Sequence, residues 1–282
     1  MNRVALFGHP IGHSPSPAIH EAAFRALDLS WEYSLLDIAP EDLPAALAEL
    51  RQPEWMGANV TIPYKTAVVD YLDALSGEAA TLGAVNTIHK SQGKLCGENT
   101  DASGFLADLS RHDLPLAGEK VVILGSGGAA RAVAFALASQ TAQVHLIARS
   151  KEQAEALITD LQPAMQVDLH WHPWDTTGFS DAREGTRLLV NTTPVGAHPQ
   201  SEACPWPTNL KLPAHAFIYD LIYNPPVTQL LFMAINQGLP VSSGMGMLIE
   251  QAAYSFKIWT GFNAPKDVML SAAYRELEAN HA

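Results

Sequence analysis

Val121-Val122-Ile123-Leu124-Gly125-Ser126-Gly127-Gly128-Ala129-Ala130-Arg131-Ala132 passes from β-branched residues through a glycine cluster into an alanine-rich run, which predicts strand, tight turn and helix. Gly125 permits the turn at the strand end, and Gly127 lets the backbone approach a pyrophosphate. Ser126, Gly128 and Ala129 complete a cradle whose unpaired N–H groups and helix dipole favour an anion. A glycine-rich turn with no ligand fits the same residues in isolation. The context favours the ligand, because a helix over 129–139 and a second strand, Val144-His145-Leu146-Ile147, complete a β-α-β unit. A site for a free ribose 2′-hydroxyl carries Asp or Glu at the end of that second strand, about twenty residues after the glycines. Here the position holds Arg149, followed by Ser150 and Lys151. A guanidinium takes a 2′-phosphate bidentately, so the cofactor expected is NADP(H) rather than NAD(H). The plainer reading of Arg149 is a solvated charge at a strand end.

Outward from that unit, 282 residues with 48% hydrophobic content suffice for a sizeable core and favour two domains over one. The net charge of −12, with no stripe of Lys and Arg, makes nucleic acid and anionic membrane poor partners. A small molecule bound by a monomer or homodimer is the expectation. Cys96 and Cys204 are far apart and lack metal-ligand spacing, so neither a disulfide framework nor a metal site is indicated, and no apolar run approaches a membrane span. A cytoplasmic protein is expected. The stretch Ala203-Cys204-Pro205-Trp206-Pro207 reads as a surface loop.

The amino-terminal third reads as a second α/β layer. Arg3 to Phe7 is a short apolar run stopped by Gly8, and the loop His13-Ser14-Pro15-Ser16-Pro17 sets two hydroxyls between prolines before a helix. Ser14 and Ser16 suit a small carboxylate or a hydroxyl, although Ser16 alone reads equally as a helix cap. The strand in Met56-Gly57-Ala58-Asn59-Val60-Thr61-Ile62-Pro63-Tyr64-Lys65 stops at Pro63 and leaves Lys65 at its carboxyl end, where open α/β sheets bind ligands. Most lone lysines are merely solvated. What singles this one out is the density of polar residues just before it, Thr61 among them; further on, Gly83-Ala84-Val85-Asn86-Thr87 is a short strand carrying Asn86, and Asp101 opens a helix, where it also reads as an N-cap.

Past the glycine-rich unit, a helix over 151–161 and strands at 188–190 and 217–221 extend its sheet. Two loops follow those strands, Asn191 to Gly196 and Ile222 to Pro226, where a nicotinamide and a substrate would meet. Tyr223 reads equally as a ligand contact or a packed aromatic. A long helix over 248–259, carrying Gln251, and a final helix have no sheet of their own and are expected to return to the first domain. The fold class predicted is α/β in two domains. One is a substrate-binding domain of residues 1–102 with 240–282, and the other a Rossmann-like NADP-binding domain of residues 103–239.

Taken in order, the Ser14-Pro15-Ser16 loop, Asn59 to Lys65, Gly83 to Thr87, Asn99-Thr100-Asp101, the glycine loop, Tyr223-Asn224-Pro225 and Gly244 to Gln251 resemble the shikimate dehydrogenase family across nearly the whole chain. The resemblance implies reversible NADPH-dependent reduction of 3-dehydroshikimate to shikimate, a step of aromatic amino-acid biosynthesis. It implies Lys65 as acid/base group with Asp101 as its partner, and Ser14 and Ser16 on the substrate carboxylate. Thr61, Asn86, Asp101, Tyr223 and Gln251 would address the carboxylate or the ring hydroxyls. Gly125 to Ala129 would hold the pyrophosphate, Arg149 the 2′-phosphate, and Leu221 and Gly244 would flank the nicotinamide. One departure is visible: the family's Asn-Arg-Thr patch, with a second Arg three residues later, reads here Ala148-Arg149-Ser150 with Gln153, and Lys151 is the remaining nearby cation.

Overall fold

The computed structural model describes residues 1–12 and 14–279; His13 of the serine loop lies outside the described residues. The first elements are β1 (Asn2–Gly8), α1 (Ser16–Ala26), β2 (Trp31–Asp37), α2 (Leu43–Glu49) and β3 (Trp55–Val60). They are followed by β4 (Ala74–Leu75), α3 (Gly77–Leu82), β5 (Thr87–Ser91), β6 (Lys94–Glu98) and α4 (Asp101–Leu109). Then come β7 (Lys120–Leu124), α5 (Gly128–Ser139), β8 (Gln143–Ala148), α6 (Lys151–Leu161), β9 (Leu169–Pro173), α7 (Thr176–Arg183) and β10 (Thr186–Asn191). The chain closes with β11 (Phe217–Asp220), α8 (Gln229–Asn236), β12 (Val241–Ser243), α9 (Met245–Thr260) and α10 (Lys266–Ala279). Two compact units result: residues 1–104 with 249 onward, and residues 105–248.

The first unit is built on a mixed sheet of order β2-β1-β3-β5-β6-β4. β1 lies parallel to both β2 and β3, and β5 runs antiparallel to β3 and β6. Its core packs Ala5, Phe7, Trp55, Ala58 and Val60 of the strands against Leu43 and Leu47 of α2. Burial of an apolar stripe, rather than intrinsic propensity, holds so short a helix in place. In the same unit α10 lies along α1.

The second unit carries an all-parallel sheet of order β12-β11-β10-β7-β8-β9. That is the doubly wound dinucleotide-binding order, which reverses between β7 and β10, and ligands bind at such a switch point beyond the carboxyl strand ends. Strands covered on both faces are apolar throughout, as Val121 to Leu124 are. Two expectations are corrected here. Residues 240–248 stay with this unit because β12 pairs in parallel with β11, Ile218 opposite Val241 and Asp220 opposite Ser243. The proline-rich stretch at 203–207 is not a simple surface loop: Trp206 is buried, stands edge-on to Phe179 at 5.0 Å and donates its indole N–H to the Leu210 carbonyl at 3.0 Å. A large apolar ring with its one donor satisfied belongs in a core whatever prolines flank it.

Candidate functional site

In the first unit the turn after β3 returns Lys65 toward the start of α4, and the Lys65 carbonyl accepts from Val85 N–H at 2.7 Å. Lys65 Nζ donates to Asp101 Oδ2 at 2.5 Å, and the other carboxylate oxygen of Asp101 accepts from Asn86 Nδ2 at 2.8 Å. Asp101 is not the cap of its helix. Its carboxylate oxygens are engaged by Lys65 and Asn86 instead, and its backbone N–H donates to Asn99 Oδ1 at 3.0 Å. Ser16 likewise does not cap α1: its own N–H donates to Ser14 Oγ at 3.3 Å, and the two hydroxyls stand 3.1 Å apart. Thr61 is half-buried just past the end of β3, and its N–H donates to the Phe7 carbonyl at 2.8 Å.

Beneath these groups lies a buried polar layer to which no local sequence signal assigns a role. Asn59 Nδ2 reaches Thr87 Oγ1 at 3.2 Å, Ser255 Oγ at 3.0 Å and the Asn86 carbonyl at 3.1 Å, while its Oδ1 accepts from Tyr33 Oη at 2.9 Å. Thr87 Oγ1 and Thr100 N–H both donate to Asn86 Oδ1, at 3.0 and 2.8 Å. Asn86 therefore has a fixed amide orientation, its oxygen saturated and its nitrogen aimed at Asp101. Thr100 Oγ1 also reaches the Gln251 carbonyl at 3.2 Å, which brings α9 to the same layer. Gly104 permits that approach, since a Cβ there would come within 2.8 Å of Gln251 Cβ and N. His20 stacks on Tyr33 at 4.5 Å, walled in by Phe24, Phe256 and Trp259, and burial pulls its pKa down to about 3. Burial also raises the Tyr33 phenol, so both rings stay neutral.

In the second unit Gly125 has φ +115, and a Cβ there would stand 2.8 Å from Thr192 Oγ1, so both conformation and space require glycine. Gly127 precedes α5 with no side-chain cap, and nothing stands within 4 Å of where a Cβ would project from Gly127 or Gly128. Orphan amides at a helix start, with open space before them and Ser126 and Ala129 half-buried beside them, fit a pyrophosphate. Arg149 is exposed at the end of β8 and makes no ion pair with any described residue, so its guanidinium is uncommitted and suits a 2′-phosphate. Ser150 instead caps α6, accepting from Gln153 N–H at 3.2 Å, and Lys151 lies 3.5 Å from Glu155 and over the Trp171 ring. Leu221 N–H donates to the Asn191 carbonyl at 3.0 Å. Gly244 packs so closely on Leu221 that a Cβ would come within 1.9 Å of the Leu221 carbonyl oxygen. Tyr223 is half-buried in the following loop, and burial raises its phenol.

Among the described residues no cluster of His, Cys, Asp or Glu is placed to hold a metal ion, and no helix is long and apolar enough to cross a membrane. Known proteins share both the sequence and the architecture. The shikimate dehydrogenase substrate binding domain family matches residues 6–88, and the shikimate 5′-dehydrogenase C-terminal domain family matches residues 244–274. The shikimate dehydrogenase (NADP(+)) of Symbiobacterium thermophilum is 41% identical over 279 residues, which is 98% of this chain and 94% of that protein. The shikimate 5-dehydrogenase of Thermus thermophilus, solved in complex with NADP(H) and shikimate, has a TM-score of 0.87 at 39% identity, covering 98% of this chain and 100% of that one. The ligand-free 5-ketofructose reductase of Gluconobacter sp. strain CHM43 has a TM-score of 0.86 at 32% identity, covering 97% of this chain and 98% of that one.

Proposed function

This chain belongs to the shikimate dehydrogenase family, and from that premise we propose that it reduces 3-dehydroshikimate reversibly to shikimate with NADPH, Lys65 and Asp101 handling the proton. The observation that carries the reading is the Lys65–Asp101–Asn86 chain, an ammonium 2.5 Å from a carboxylate whose second oxygen is held at 2.8 Å. Bound NADPH supplies the hydride to the ring carbonyl carbon. As negative charge gathers on the carbonyl oxygen, the Lys65 ammonium stabilises it and gives up a proton to make the hydroxyl; in the oxidative direction the amine takes that proton back. Asp101, fixed by Asn86, keeps the lysine terminus in place between those two states. Ser14 and Ser16 are the carboxylate grip, and Thr61, Asn86, Asp101, Tyr223 and Gln251 the partners for the carboxylate or the ring hydroxyls. A ligand lacking one hydroxyl then leaves a protein group unpaired, which is how polar groups of this kind discriminate. The Gly125–Ala129 cradle and Arg149 would hold the pyrophosphate and the 2′-phosphate, with Ser150 and Lys151 beside them and Leu221 and Gly244 against the nicotinamide. Unpaired thiols at Cys96 and Cys204 accord with a reducing, cytoplasmic setting.

Absorbance at the NADPH band over shikimate and quinate with NADP+ and NAD+, and over a ketohexose with NADPH, tests this directly. Turnover should be fastest for shikimate with NADP+. Faster turnover of quinate or of the ketohexose would reassign the substrate, and equal rates with NAD+ would withdraw the role given to Arg149.

A further inference from the structure

Asp220, at the carboxyl end of β11, is fully buried, yet no cation pairs with it among the described residues. Both of its carboxylate oxygens are nevertheless engaged. Oδ1 takes Asn191 Nδ2 at 2.9 Å and Ile222 N–H at 3.1 Å, and Oδ2 takes the Thr228 hydroxyl at 2.6 Å. These three donors come from two different loops. Asn191 ends β10 and leads into the loop after it, where its Oδ1 in turn takes Thr193 N–H at 3.0 Å and Thr193 Oγ1 at 2.7 Å. Thr193 and Thr192 are the residues that Gly125 abuts, and Thr192 Oγ1 ties back to the Leu124 carbonyl at 2.6 Å. Ile222, whose carbonyl accepts from Gly244 N–H at 3.1 Å, and Thr228, which caps α8, belong to the loop after β11. One carboxylate thus ties together the floor of the glycine cradle, the 221–228 loop and the backbone at Gly244.

We propose that Asp220 is a positioning residue that fixes the two carboxyl-end loops against which the nicotinamide half of the cofactor is held. The inference rests on the reading that Leu221 and Gly244 flank the nicotinamide. The chemistry argues for a purpose beyond packing. Burial holds the Asp220 pKa up to about 6 despite its three hydrogen bonds, so keeping it ionised costs stability that an asparagine of the same shape would not. What the charge adds is stiffness: hydrogen bonds to an ionised acceptor are roughly twice as strong as neutral ones, and here they clamp loops that would otherwise be mobile.

The test separates the two halves of the cofactor. NADPH and adenosine 2′,5′-bisphosphate, which carries the 2′-phosphate and no nicotinamide, are titrated against the full-length protein and its variants without substrate. Asp220→Asn should weaken NADPH roughly tenfold, as expected for loss of a charged hydrogen-bond partner, and leave the bisphosphate unchanged. Thr228→Val, which removes the Oδ2 donor together with the cap of α8, should move affinity in the same direction, and Thr228→Ser, which keeps both, should restore what valine loses. Equal weakening of both ligands would make Asp220 a purely structural residue, and a folded Asp220→Asn protein with unaltered NADPH affinity would also overturn the proposal. Because no substrate enters the titration, its outcome is independent of the assay of shikimate turnover.

Discussion

Polar atoms gather at the carboxyl ends of both sheets, but by opposite means. In the first unit they are side chains locked to one another, Lys65 to Asp101 to Asn86 to Thr87 to Asn59, most of them buried. In the second they are backbone amides behind Gly125 and Gly127, with the exposed guanidinium of Arg149 ahead of them. Under the proposed function the difference follows from the ligands. A carbocycle with several hydroxyls must be told from near neighbours, which takes donors and acceptors that cannot turn to suit an impostor. A pyrophosphate needs only a positive potential, which the amides at the start of α5 supply, and clearance, which glycine supplies. Breaking the comparison therefore means showing that a first-unit side chain is dispensable or that a second-unit side chain is not.

The largest effect is expected at Lys65. Lys65→Ala removes the proposed proton carrier and should lower kcat by about 10²-fold or more, on general acid–base magnitudes, with NADPH affinity unchanged. Steady-state kinetics beside a cofactor titration measure both, and a near-wild-type kcat would dissolve the side-chain half of the comparison.

Next is the acid sensitivity of the buried layer. His20 has its pKa depressed from 6.5 to about 3, so between those values the unfolded chain binds a proton that the folded chain refuses. The stability it allows is complete above pH 6.5 and is lost as pH falls toward 3. Between about pH 8 and about pH 5 the loss should be about 2 kcal/mol. Chemical denaturation at the two pH values, compared with His20→Phe, isolates the histidine, because any packing change in the variant is common to both; an identical pH slope in the two proteins would mean that His20 is not held neutral.

How far the sequence foretells this arrangement depends on the range of the contacts involved. The β7–α5–β8 unit is legible because strand, glycines and helix are contiguous, and Lys65 and Asp101 stand out at the ends of predicted elements. The Asn59–Ser255 hydrogen bond joins residues 196 positions apart, and no local pattern announces it. β9 escapes notice because Leu169-His170-Trp171-His172 is too polar to read as a covered strand, and two of its histidines lie against His145 of β8. Residues 240–248 are misassigned from sequence because a three-residue strand carries no periodicity of its own; pairing with β11 decides it.

Arg149 tests the other half of the comparison. Being uncommitted, it loses nothing but its proposed ligand when truncated, so Arg149→Ala should raise KM for NADP+ roughly tenfold to thirtyfold, the range for a charge-assisted bidentate contact, and leave KM for NAD+ unmoved. Equal changes for the two cofactors would show that the side chain supports the fold and not the phosphate.

The smallest effect is expected two residues further on, and it sharpens the contrast. Lys151 is the nearby cation that could replace the arginine the family pattern places at 153, but it is more than half exposed, lies 3.5 Å from Glu155 one helical turn away and reaches over Trp171. An exposed i,i+4 pair is worth a few tenths of a kcal/mol and is screened by salt, so neither holding nor releasing the lysine changes much. Lys151→Ala should shift KM for NADP+ by less than about threefold, and less still at high ionic strength. A shift as large as that of Arg149→Ala would mean that Lys151 leaves Glu155 when the cofactor binds, and discrimination would then rest on a pair of cations rather than on one.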